Sequence, residues 1–82
     1  MRLSKKTEYA CLALVSMARD YKTKLSNLNE ISEDNDIPRK FLEQILAQLK
    51  SAGYIESIRG PKGGYTLAKP PSEISLAEIA RL

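Results

Sequence analysis

The stretch Tyr54-Ile55-Glu56-Ser57-Ile58-Arg59-Gly60-Pro61-Lys62-Gly63-Gly64-Tyr65-Thr66-Leu67-Ala68 decides the fold. Tyr54 to Arg59, with its aromatic and β-branched residues, reads as a strand, and Tyr65 to Ala68 reads as its partner. Between them Gly60-Pro61-Lys62-Gly63-Gly64 forms a hairpin tip, flanked by the cation of Arg59. Glycine at such a tip permits positive φ and a close backbone approach to a ligand. A phosphate-cradling nucleotide loop is the competing reading of a glycine run. It fails because no helix opens after Gly64 and no glycine-lysine-serine/threonine follows.

Immediately upstream the spacing predicts a helix-turn-helix. Asn27 and Glu30 have capping-box spacing for a short helix through about Asp34, with Leu28 and Ile31 facing inward. Asn35-Asp36 supplies a turn. Ile37-Pro38 then opens a longer helix, Pro38 taking the first helical position, where its missing N–H costs nothing. This helix runs to Ala52, and Gly53 is suited to the residue just past its end. Phe41, Leu42, Ile45, Leu46, Leu49 and Ala52 share one arc, taken as the core side, and Lys40, Glu43, Gln44, Ala47, Gln48 and Ser51 share the opposite arc. That second arc carries donors and acceptors on short or medium side chains, with the small Ala47 at its middle. A major groove about 12 Å wide admits one helix, and Lys, Glu and Gln side chains can read base edges there. Any solvated helix also has a polar face. A basic β-ribbon directly after a helix-turn-helix is the wing of a winged helix.

Farther upstream, Ser4 is a fitting N-cap for a first helix to about Asp20. Ala10, Ala13, Leu14, Met17 and Tyr21 form its apolar stripe, while Glu8, Leu12, Val15 and Arg19 fall on the opposite face. Two apolar residues on a back face suggest a second contact, such as another subunit, or are scattered surface residues. Lys5 and Lys6 before the apolar run Ala10 to Ala18 imitate a signal peptide. Glu8 before the run, Arg19-Asp20 after it and the lack of a small-residue cleavage site favour a helix instead. Downstream, Lys69-Pro70-Pro71 closes the ribbon, since a proline pair cannot continue a central strand. Ser75 and Glu78 form a capping box for a fourth helix, Ile74 to Leu82. Nothing marks that helix's C-terminus, so a chain cut off before its natural end is expected.

The composition bounds the function. Eighty-two residues, 43% of them hydrophobic, make one small domain, mainly α with a β-hairpin. One cysteine cannot form an internal disulfide, and with no histidine a self-contained zinc site lacks its ordinary ligands. That fits a reducing cytoplasm, and no stretch is long enough to span a bilayer, so no membrane partner is expected. The net charge of +3 is unevenly spread. Arg2, Lys5 and Lys6 crowd the start, Glu30, Glu33, Asp34 and Asp36 make an acidic middle, and from Arg39 to Lys69 cations again prevail. Such segregation suits one face for a polyanion, or a merely solvated surface.

Across essentially all 82 residues the chain resembles the winged-helix regulators that include IscR and CymR. The resemblance rests on Met1-Arg2-Leu3-Ser4 with Tyr9-Ala10, then Phe41-Leu42-Glu43-Gln44-Ile45-Leu46, Leu49 and Ala52-Gly53. Above all it rests on Ser57 through Leu67, whose Arg-Gly-x-x-Gly-Gly-Tyr wing is the most specific element, followed by proline, Ile74 and Leu76. It implies a homodimer on a roughly palindromic double-stranded DNA site, with the third helix in the major groove and the wing in the minor groove. Residues at the positions of Glu43 and Gln44 recognise bases in the family, and the arginine matching Arg59 enters the minor groove. With these, Arg39, Lys40, Gln48, Gly60 and Lys62 complete the expected DNA-binding set. The family further implies a dimerisation and sensing region after residue 82, answering iron–sulfur, redox or cysteine-metabolism signals. Many members hold an iron–sulfur cluster there on three cysteines; no cofactor is expected within the 82 residues. Cys11 does not match those ligands and reads as a small core cysteine. Glu8 matches a carboxylate that in some relatives ligates the partner subunit's cluster; the alternative is a surface glutamate favoured by the helix dipole.

Two other function classes compete. A winged helix can serve protein–protein contact without DNA, but then apolar residues belong on the third helix's outer arc and the wing tip. An enzyme has less support: there is no histidine, nucleophile elbow or carboxylate pair in an apparent pocket.

Overall fold

The computed structural model describes residues 4–82. Met1, Arg2 and Leu3, which carry part of the resemblance and one cation of the basic start, lie outside the described residues. The Ser4 hydroxyl accepts from the Thr7 N–H at 3.1 Å, satisfying one of the free donors of a helix start. Helix α1 (Lys5–Asp20) follows, burying Ala10, Ala13, Leu14 and Met17 as the periodicity predicts. Tyr21, just past its end, is half-buried against the same core.

Asn27 caps α2 (Leu28–Asn35) by accepting from the Glu30 N–H. Ile31 is buried and Leu28 packs beside it, as expected. The turn rests on Asp36, in the left-handed region at φ 53°, where a short polar side chain is tolerated. Ser32 locks it by donating to the Ile37 carbonyl at 2.6 Å, and Ile37 plugs the core. Helix α3 (Arg39–Ser51) starts one residue later than expected. Pro38 is its N-cap, with an extended ψ of 129°, and its carbonyl accepts the first helical bond from Leu42. Leu42, Ile45, Leu46 and Leu49 are buried, each worth about 1.5–3 kcal/mol of hydrophobic stabilisation. Phe41 and Ala52 are not in the core: both are exposed. At 3.6 residues per turn Phe41 lies about 90° and Ala52 about 70° from the centre of the buried arc, at the edge that the core leaves uncovered.

Gly53 turns the chain out of α3 at φ 86°. Its N–H donates to the Lys50 carbonyl and the Tyr54 N–H to the Leu49 carbonyl, the paired bonds of a Schellman end. Strand β1 (Ile55–Ile58) therefore leaves α3 without a flexible link. It pairs antiparallel with β2 (Gly64–Leu67), Ile55 opposite Leu67 and Ile58 opposite Gly64. The first strand is shorter than the sequence suggests by one residue at each end, and the second keeps its expected length but begins one residue earlier. Ile55 and Leu67 enter the core. The wing also has a third member that the sequence did not disclose. Ser26, before α2, bridges Tyr65 through two backbone hydrogen bonds of 2.8 and 2.7 Å.

A 3₁₀ turn (Pro71–Glu73) leads to α4 (Leu76–Ala80), capped by Ser75 accepting from Glu78 as predicted. Ile74 is extended rather than helical, because the cap places the first helical residue at 76. Ile79 anchors α4 in the core, and the Tyr54 hydroxyl donates to Glu78 at 2.9 Å.

Candidate nucleic-acid interface

Burying one arc of α3 leaves the other fully outward. Lys40, Glu43, Gln44, Ala47, Gln48 and Ser51 are all exposed, so the polar arc read from the sequence is a continuous surface. Among the described residues, no hydrogen bond to another side chain or backbone group engages the Gln44 or Gln48 side chain, leaving their amides available as paired donor and acceptor. Glu43 and Arg39 meet, with Nε 3.8 Å from Oε1, both more than half exposed. An exposed i,i+4 pair of this kind is worth only a few tenths of a kcal/mol, so either partner can be drawn away cheaply.

The start of α3 is electrostatically unusual. Pro38 provides no side-chain cap, and no acidic residue lies in the first turn. Arg39 and Lys40 stand there instead, where the helix dipole disfavours cations. The first backbone N–H groups and two cations thus converge on one exposed end, and an anion placed there offsets both deficits.

The wing supplies the second cationic element. Arg59, Gly60, Pro61 and Lys62 are exposed at its tip, which bears no carboxylate. Gly60 has a φ of 117°, and its carbonyl accepts from the Gly63 N–H to close the tip. Among the described residues the ion pairs join Lys5 to Glu8, Lys24 to Glu30 and Arg39 to Glu43. Lys40, Arg59 and Lys62 belong to none of them. The structure thus gathers Arg39, Lys40, Glu43, Gln44 and Gln48 on α3, and Arg59, Gly60 and Lys62 on the wing continuous with that helix.

Phe41 is the larger of the two α3 side chains that the sequence places in the core and the structure does not. It is 36% exposed and meets the Tyr9 ring edge-on, with centroids 5.4 Å apart. Its position at the edge of the buried arc was the available signal.

Glu8 stands on a different surface. It is exposed on the first turn of α1, 3.5 Å from Lys5. Leu12 and Val15, 40% and 52% exposed, continue the same face, and Leu76 of α4 adds a third exposed apolar side chain nearby. Cys11 lies half-buried beside them, and burial raises its thiol pKa, which makes it a poor thiolate. Among the described residues no group of three His, Cys, Asp or Glu side chains is placed to hold a metal. Among them, too, no helix is long and apolar enough to cross a membrane.

Comparison with known proteins gives one consistent answer. Residues 3–82 match the Rrf2 family, described as an iron-dependent transcriptional regulator. The chain is 44% identical over 81 residues to the HTH-type transcriptional regulator IscR of Cereibacter sphaeroides, covering 96% of this chain and 52% of that one. It is 39% identical over 79 residues to IscR of Klebsiella pneumoniae, covering 96% and 48%. Among solved structures, T. potens IscR superposes with a TM-score of 0.91 at 33% identity, over 99% of this chain and 59% of that one. CymR, the global cysteine regulator of B. subtilis, gives 0.93 at 31%, over 99% and 63%. The chain spans about half the length of the curated relatives it matches.

Proposed function

This chain belongs to the Rrf2 family of transcriptional regulators, and we propose that it is the winged helix-turn-helix through which such a regulator binds double-stranded DNA sequence-specifically. The observation that carries the proposal is the outer arc of α3, polar from Lys40 to Ser51, joined rigidly to a wing tip with two cations free of ion pairs. In this reading α3 lies in the major groove. Glu43 accepts from a cytosine amino group, and the Gln44 and Gln48 amides suit adenine edges. Arg39 and Lys40, with the open N–H groups at the start of α3, hold a phosphate, which fixes register without reading sequence. Arg59 enters a narrow minor groove, Gly60 lets the backbone approach, and Lys62 meets a phosphate. A protein–protein module is disfavoured, because the outer arc carries no apolar side chain larger than alanine.

The Leu12 and Val15 face suits contact with a second copy, so the whole protein acts as a homodimer whose dimerisation and sensing parts follow residue 82. The sensed signal concerns iron, redox state or cysteine supply. Glu8, beside that face, supplies one oxygen ligand to an iron–sulfur cluster held by the other subunit, a cluster whose loss transmits the signal. A carboxylate is held more weakly by iron than a thiolate, which suits a displaceable ligand. Anaerobically reconstituted full-length protein should change its absorption and resonance Raman spectra on Glu8→Ala; unchanged spectra remove Glu8 from this role.

The DNA reading is tested by fluorescence anisotropy of the full-length protein on duplexes at several salt concentrations. Binding should weaken steeply with salt, by a log–log slope of about −0.9 for each phosphate neutralised, and should survive excess scrambled competitor. A slope near zero, or equal affinity for selected and scrambled duplexes, refutes it.

A further inference from the structure

We infer that Asp20 and Ser26 are positioning residues for the wing, setting where the tip carries Arg59; the inference rests on the DNA-binding reading above. The wing has two four-residue strands, and a two-stranded hairpin is marginal alone. Its β1 edge is fixed to α3 through the Gly53 turn. On the β2 side, Leu67 anchors the base in the core, and nearer the tip the edge is paired by one residue, Ser26, which exchanges backbone hydrogen bonds of 2.8 and 2.7 Å with Tyr65. The approach is close: a Cβ on Gly64 would stand 2.6 Å from the Ser26 carbonyl oxygen. The tip, Arg59 to Gly63, projects beyond both attachments.

Ser26 is itself held from below. It is 2% exposed, so its hydroxyl needs a partner within the protein, and it donates to Asp20 Oδ2 at 2.9 Å. Asp20 is the last residue of α1, where the helix dipole disfavours a carboxylate. The charge-assisted bond to Ser26 offsets that local cost. The Asp20 carbonyl also accepts from the Thr23 hydroxyl and from the Thr23 and Lys24 N–H groups. Backbone and side chain of Asp20 together fold residues 21–26 back so that Ser26 arrives beside β2. Loss of the carboxylate loosens Ser26, and the half of the wing beyond the Leu67 anchor is held less firmly on its β2 side. Arg59 then spends part of its binding energy on being ordered.

The test uses the full-length protein with Asp20→Ala, Asp20→Asn, Arg59→Ala and the Asp20→Ala/Arg59→Ala double variant. Each is measured on two duplexes that differ only beneath the wing, one AT-rich and one GC-rich. Asp20→Ala should lose about three- to tenfold in affinity on the AT-rich duplex and less on the GC-rich one. Asp20→Asn keeps an acceptor oxygen and should bind as wild type. In the double variant, loss of Asp20 should add little to loss of Arg59, because the two act through one contact. Amide hydrogen exchange at Tyr65 should quicken in Asp20→Ala and not in Asp20→Asn. Losses that multiply in the double variant, equal losses on both duplexes, or an Asn variant as weak as the Ala variant overturn the positioning role. Failure of the wild type to bind either duplex overturns the reading beneath it instead.

Discussion

Replacing Glu43 by alanine separates reading a base from holding a helix, because the two effects differ in size. On the folding side, the substitution removes an Arg39 interaction of 3.8 Å between two largely exposed groups, a loss of a few tenths of a kcal/mol. Alanine's higher helix propensity returns a similar amount, so thermal stability should barely move. On the binding side, a carboxylate aimed at a cytosine amino group discriminates by about 1–3 kcal/mol, or about 5- to 150-fold between bases. Removing it also frees Arg39 for a phosphate and removes a negative charge near the backbone. Affinity for unrelated DNA should therefore rise, and the salt slope should steepen only slightly, because Arg39 already shares a phosphate with Lys40 and loses only a competing partner. Binding-site selection with wild type and Glu43→Ala measures the first effect, and salt titration the second. Identical base preferences from the two proteins would refute the reading role and leave Glu43 as a surface partner of Arg39.

Arg59→Ala should weaken binding to all DNA, with the larger loss where the minor groove is narrow and AT-rich; duplexes with varied flanks in the same anisotropy assay check this. Gly64→Ala should destabilise the domain by about 1–3 kcal/mol, since β2 must separate from the Ser26 backbone to admit a methyl group, and thermal unfolding followed by circular dichroism measures it. The 82-residue chain alone should sediment as a monomer or weak dimer and bind one half-site poorly, because linked half-sites gain from effective concentration; a tight dimer in sedimentation would contradict this.

What the sequence disclosed and what it hid have a common physical origin. Caps at Ser4, Asn27 and Ser75 are local devices, decided within three or four residues, and each appears where the spacing put it. The α3 arcs follow from helix period alone. The period does not say how wide an arc its neighbours cover, so Phe41 and Ala52 were placed in the core and lie outside it. Pro38 illustrates a similar limit: its fixed φ suits both the cap and the first helical position, and the extended ψ that separates them comes from the turn before it. The Ser26 bridge was illegible because a single paired residue has no alternation, and its partner Tyr65 lies far along the chain. The polar residues of the interface were legible as types. The tight junction between the two elements that carry them came only with the turn that joins α3 to β1.

That turn has a consequence for the operator. Leu49 and Lys50 accept the hydrogen bonds that start the chain toward β1, and the Ser26–Tyr65 bridge holds the other edge, so the two attachments together fix the wing relative to the helix. If α3 reads a base and Arg59 enters the minor groove, as proposed, the two contacts must sit at one fixed separation along the duplex. Inserting a single base pair between them shifts one element by about 3.4 Å and about 34° around the axis. No linker exists between α3 and β1 to absorb that change. Under that proposal the spacing between the two contacts is as much a part of the recognised signal as the bases themselves.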